Sequence, residues 1–357
     1  MSRRWSTADN AGAGEAQFCF RRAFFVFLAC FSLLMTIAQS ARAQSDFYTG
    51  KTITVVVGFS AGTGYDIYAR LFARYLPRHL EGRPTVVTQN MPGAGSFTAA
   101  SHLYNTAPRD GTVLGMIDQA SPLSQTLGTP GFRADVSRFN WIGRLTGNAA
   151  VLFARSNAGF SDMRETFGRE MIISANGQNS RIMTAVMKNL LGLKLRILTG
   201  YQSSAESQLA LQRSEVEAMT LPWSVLRSER PSWLAEKYVT LLMQMGAESH
   251  PELTAVPLVT SLARNAEEEK VLTLVSNDSR VGRSVMAPPG LAPDRLAKLR
   301  RAFMDAIGDP DLLEEARRTG LDIAPMDGAA LQDMIRASVQ VDPSVAARVK
   351  AIIDLNQ

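Results

Sequence analysis

Thr52-Ile53-Thr54-Val55-Val56-Val57, followed by Gly58-Phe59-Ser60-Ala61-Gly62-Thr63-Gly64, is the stretch that decides the fold class. A run made only of aliphatic and β-branched residues suits a strand buried on both faces of a parallel sheet. The glycine-rich turn lets backbone approach a neighbour without a Cβ in the way. Asp66 reads as the N-cap of a helix over 67–76. The same grammar recurs in a strand at 85–88, a glycine-rich turn at 90–95 and a helix at 96–104. Asp110-Gly111 then turns the chain into a third strand over 112–117. Alternating strands and helices in this order predict a parallel sheet with helices on its faces.

A second unit repeats the pattern. A strand at 172–174 enters the polar turn 175–180 and a helix over 181–191. Strand 194–198, turn 200–204, helix 205–211 and strand 216–221 complete it. Residues 283–287 read as a strand returning to the first unit, stopped by Pro288-Pro289-Gly290, with helices over 293–307 and 311–319 behind it. A chain of 357 residues is too long for one small core. The expected fold is α/β: two Rossmann-like lobes with a central cleft. Residues 44–144 and 277–357 are assigned to lobe 1 and 145–276 to lobe 2.

The N-terminus reads as a secretion signal. Arg21-Arg22 precede an apolar run from 23 to 38, and Ala41-Arg42-Ala43 offers a small-x-small cleavage site before Gln44. The run of about 16 residues is short of the ~20 a bilayer span needs. A signal peptide over 1–43 predicts a periplasmic protein. It would remove both cysteines, Cys19 and Cys30, as suits an oxidising compartment. The leader also holds five arginines against Asp9 and Glu15, so little of the formal charge of +5 belongs to the rest. That excess is too small and diffuse to predict a nucleic-acid partner.

The turns carry a resemblance. Phe47-Tyr48-x-Gly50-Lys51, Gly58-Phe59-Ser60-Ala61-Gly62, Asp66-x-x-Ala69-Arg70, Asn90-Met91-Pro92-Gly93-Ala94-Gly95 and Asp110-Gly111 stand in order. Gly200-Tyr201, Leu209-Ala210-Leu211, Glu215-Val216, Pro288-Pro289-Gly290, Asp294-Arg295 and Asp309-Pro310 follow. Together they resemble the substrate-binding proteins of tripartite tricarboxylate transporters, the Bug receptors. The resemblance implies a type II periplasmic binding protein architecture closing on a small carboxylate ligand. It implies a monomer without cofactor, serving one large and one small membrane subunit of a transporter. Presentation of the ligand to a membrane sensor kinase is a further alternative.

Carried over position by position, lobe 1 contacts would come from Ser60, Ala61, Gly62, Thr63, Gly64 and Tyr65, and from Gly93, Ala94 and Ser96. Lobe 2 contacts would come from Gly177, Gln178, Asn179 and Ser180, and from Tyr201, Gln202 and Ser203. Thr63 and Asn179 replace glycines usual in the family. The residues support an anion site on their own terms, because glycine turns and helix N-termini at strand carboxyl ends present N–H groups to a ligand.

Other chemistry was weighed. Gly58-Phe59-Ser60-Ala61-Gly62 also fits a nucleophile elbow, so a secreted serine acyl hydrolase using Ser60 is the alternative function. It would need a base from His79, His102 or His250. No catalytic residue is assigned, and three scattered histidines give no metal-ligand spacing. Gly50-Lys51-Thr52 precedes its strand rather than following it, so it is no phosphate loop.

Overall fold

The computed structural model describes residues 47–354 apart from 176 and 202. The expected leader and Gln202 lie outside the described residues, as does the side chain of Gln178. Three strands open the first sheet, β1 (Thr52–Val57), β2 (Thr85–Asn90) and β3 (Val113–Met116). They are followed in turn by helices α1 (Gly64–His79), α2 (Phe97–Asn105) and α3 (Ser121–Thr126). β1 pairs in parallel with both β2 and β3. The period-two pleat sends Val55 and Val57 into one core with Phe72 and Phe303, and Val56 into the other with Leu103 and Trp141. Each such valine is worth about 1.5–3 kcal/mol of burial.

β4 (Asn140–Thr146) leads out of the first sheet and β5 (Ala150–Arg155) enters the second. There β6 (Met171–Ser174), α4 (Gly177–Asn189), β7 (Leu195–Leu198), α5 (Ser204–Gln212) and β8 (Ala218–Pro222) repeat the motif. β6 runs parallel to both of its neighbours. Helices α6 (Trp223–Glu229) and α7 (Pro231–Ala235), strand β9 (Val239–Met245) and helix α8 (Ala266–Ser276) complete the second lobe.

The return passes through α9 (Asp278–Val281) into β10 (Arg283–Ala287). Then come α10 (Pro293–Ile307), α11 (Pro310–Thr319), β11 (Met326–Asp327), α12 (Gly328–Val339) and α13 (Pro343–Asp354). The sheet orders are β11-β4-β10-β3-β1-β2 and β7-β6-β8-β5-β9.

Two features differ from the sequence reading. The sheets are mixed: β4, β5, β9 and β10 make antiparallel pairs, and the first three have no counterpart among the expected elements. The last helix also departs from the division that gave 277–357 to lobe 1. Val349 and Ile352 of α13 lie in the second-lobe core beside Val186 and Leu190, and Asn189 donates to the Ile352 carbonyl at 2.7 Å. An amphipathic helix needs an apolar partner, and α4 with α8 supplies one.

The two crossings between lobes touch. The Asn148 N–H donates to the Ser279 carbonyl at 2.9 Å. Gly282 has φ +51, and a Cβ there would fall 2.1 Å from the Thr146 carbonyl oxygen. Only glycine lets these segments lie so close.

Candidate functional site

The carboxyl ends of β1, β2 and β3 hold three turns locked to one another. Gly58 presses on Ser96, whose Oγ would sit 1.8 Å from an added Cβ, and that Oγ accepts the Asp118 N–H at 3.2 Å. Asp66 does not cap α1. The helix starts at Gly64 after Thr63, whose hydroxyl donates to the Ser60 carbonyl at 2.8 Å. Asp66 instead braces the turn from behind, accepting from the Gly62 N–H, Arg70 Nε and Asn90 Nδ2, each at 2.9 Å. Asn90 Nδ2 also reaches the Phe59 carbonyl. Burial pushes the Asp66 carboxyl up, but these donors outweigh it and hold it below the usual carboxylate range.

Above this platform lies an aromatic and cationic stack. The Phe59 and Tyr65 rings lie 4.2 Å apart and nearly parallel, and the Arg283 guanidinium sits 3.8 Å over Tyr65. The Tyr65 hydroxyl accepts the Gln119 N–H at 2.9 Å, and burial, then the Asp118 charge, push its pKa far up. Arg283 is 5% exposed. Its Nε has no partner among the described residues, and its Nη1 stands 3.5 Å from Gln119 Oε1, at the limit of a hydrogen bond. Gln119 Oε1 is better satisfied by Asn148 Nδ2 at 2.6 Å.

Facing the stack across a cavity of about 200 Å³ is the second lobe. Asn179 and Ser180 from the first turn of α4, Ser204 from α5, and Thr220, Leu221 and Pro222 from β8 line that side. Thr220 donates to Ser180 Oγ at 2.9 Å, and Asn179 donates to Asp278 in α9. Burial, then the nearby Asp118 charge, raise the Asp278 carboxyl to about 8. Asp118 lines the cavity on the first-lobe side. Burial raises its carboxyl too, opposed by the Ala120 N–H and Arg283.

Of the site residues expected from sequence, Tyr65, Asn179 and Ser180 meet around this cavity. Ser60, Ala61 and Gly62 are exposed and Thr63 and Gly64 half-buried in the turn leading to Tyr65. The Gly64 backbone runs under Arg283, with a Cβ there only 3.3 Å from Nη2. Gly93 and Ala94 are exposed in the second turn, while Ser96 is buried and committed to Asp118. Gly177 opens α4. Tyr201 is half-buried, and Ser203 caps α5 by accepting the Glu206 N–H.

Sequence reasoning passed over Phe59, Asp118, Gln119, Asn148, Ser204, Thr220 and Arg283. Three of them carried a signal. Asp118-Gln119 follow β3 at its carboxyl end, where open sheets place ligands, and Arg283 is a lone charge heading a fully buried strand.

The elbow has no base beside it among the described residues. His79 bonds Asp309 at 2.8 Å, His102 bonds Thr106 at 2.8 Å, and His250 accepts the Glu252 N–H. Among the described residues the cavity thus offers the buried Arg283 guanidinium, the Asp118 carboxyl and neutral donors from both lobes, with no nucleophile–base pair.

The family model described as tripartite tricarboxylate transporter family receptor (TctC) matches residues 69–354. The chain belongs to this family. TctC receptors are periplasmic solute-binding proteins. A UPF0065 protein of Cupriavidus necator is 23% identical over 323 residues, covering 87% of this chain and 91% of its own. The solved periplasmic binding protein BugD superposes with a TM-score of 0.64 at 18% identity, over 85% of this chain and 98% of its own. MatC from Rhodopseudomonas palustris, solved with malate, gives 0.61 at 18% over 85% and 99%. These likenesses establish the two-lobed type II fold for this TctC receptor.

Proposed function

We propose that this receptor captures a small carboxylate between its lobes in the periplasm and delivers it to the membrane subunits of a tripartite tricarboxylate-type transporter. The observation that carries the reading is Arg283: a buried guanidinium, unpaired by any acid within 4.0 Å among the described residues, at the wall of an inter-lobe cavity. A buried charge outside any direct ion pair is costly, and a ligand carboxylate would pair with it through charge-assisted bonds worth about 1.5–3 kcal/mol each. Stacking on Tyr65 fixes the guanidinium plane and so lowers the entropy lost on binding. Asn179, Ser180 and Thr220 on the opposite wall bring the second lobe onto the same ligand. MatC, solved with malate, shows that this fold can hold a small carboxylate.

A thermal-shift screen of small acids tests the reading. At a hundredfold excess over Kd the ligand stabilises by ~2.7 kcal/mol, a rise of roughly 5–11 °C for lobes of this size. A few acids should reach it while their methyl esters do not. Hits confined to neutral sugars would overturn the carboxylate reading.

A further inference from the structure

The cavity wall carries a second ionisable side chain, a carboxyl group. Asp118 lines the same space as Arg283, yet the two form no salt bridge among the described residues. One Asp118 oxygen accepts the Ala120 N–H at 2.7 Å. The other has no hydrogen-bond partner among the described residues. Arg283 likewise keeps Nε unpartnered while nineteen-twentieths buried. A guanidinium and a carboxyl group thus both line one cavity, with no ion pair between them among the described residues.

A ligand bearing only carboxylates fits that arrangement poorly. A second carboxylate seated beside Asp118 would meet a like charge, and like charges at close range in a partly desolvated site repel strongly. A ligand with one carboxylate and one ammonium satisfies both walls. Size agrees: a cavity of ~150 Å³ takes benzene, so this one suits a molecule of about eight or nine heavy atoms, the scale of a small amino acid.

Resting on the carboxylate reading above, we infer that the ligand is an amino-carboxylate, its carboxylate on Arg283 and its ammonium on Asp118, rather than a plain di- or tricarboxylate. Asp278 completes the selectivity. It is bonded to Asn179, and burial, then the Asp118 charge, push its carboxyl up toward the neutral form, which favours a site matched to one cationic nitrogen.

The test is titration calorimetry of the full chain with matched pairs: alanine and propionate, aspartate and succinate, glutamate and glutarate, γ-aminobutyrate and butyrate. At least one amino member should bind tenfold or more tighter than its des-amino partner. Asp118→Asn should move the two members in opposite directions, weakening the amino acid at least tenfold and tightening the plain acid. A purely structural role for Asp118 would weaken both and would overturn the inference. So would wild-type protein binding succinate or glutarate as well as the amino partner, a result that leaves the carboxylate reading standing. Binding of neither series, with neutral compounds binding instead, would remove both.

Discussion

The two walls of the cavity are built from the same grammar, strand then turn then helix, yet they present different chemistry. The first-lobe wall is charged and cross-braced. Asp66 ties Gly62 to Arg70 and Asn90, Ser96 ties the second turn to the third, and Phe59, Tyr65 and Arg283 stack. The second-lobe wall is neutral: Asn179, Ser180, Ser204 and Thr220 offer hydroxyls and amides, with one bond between Thr220 and Ser180. The contrast teaches a division of labour. On the proposed function, lobe 1 would supply affinity from a pre-organised ion site. Lobe 2 would supply neutral bonds that require both lobes on the same ligand.

The sharpest way to break that comparison is to remove charge from one wall and hydroxyls from the other. Arg283→Gln should weaken binding of the preferred acid by a hundredfold or more, about 3 kcal/mol. If Ser180→Ala cost as much in the same titration, the walls would be energetically equal and the division would fail.

Next comes the brace. Asp66→Ala removes the acceptor shared by the Gly62 N–H, Arg70 and the half-buried Asn90 amide, at a cost of about 1–2 kcal/mol. Because the Asp66 carboxyl is held low in the fold, its contribution is present above the unfolded value near 4. It is lost as pH falls through the folded value. Denaturant melts of wild type and variant should therefore converge in acid. Curves that stay parallel down to the lowest pH would assign Asp66 a purely steric role.

Asp278 should behave in the opposite sense. Its folded pKa of about 8 lies above the unfolded one, so the folded chain holds a proton that the unfolded chain has released. Stability is full in acid and declines as pH rises from about 4 to 8. Asp278→Asn should flatten that slope, gaining at least about 1 kcal/mol at pH 8. An unchanged slope would place the proton elsewhere.

The smallest effect sharpens rather than breaks the picture. Thr220→Val keeps the shape and deletes one neutral bond, so binding should weaken only about three- to tenfold, ~1 kcal/mol. If affinity is instead controlled through closure, small-angle scattering of that variant with ligand should show the more open form.

Much of this was legible because local pattern specifies it. The run 52–57 and its turn announced β1, and the polar turn 175–180 led to Asn179 and Ser180. What escaped was non-local. Asp66 has a cap's residue type and a cap's place near a helix start, but its donors come from Gly62 and Asn90, and Asn90 is a strand away. Arg283 reaches Tyr65 only because β10 returns beside β3, more than two hundred residues after the turn it completes. Strands β4, β5 and β9 pair antiparallel and lack the glycine-rich turn into a helix that marked β1 and β2. Asp118 and Gln119 were readable from their place after β3, but sit in a turn without the glycines that drew attention elsewhere.

The most direct test is a crystal structure of the complex with the tightest-binding acid. The account predicts its carboxylate oxygens within about 3.2 Å of the Arg283 guanidinium, with Asn179, Ser180 or Thr220 on the same molecule from the other lobe. A carboxylate held only by backbone at 60–64 and 93–96, with Arg283 still unpaired, would contradict it.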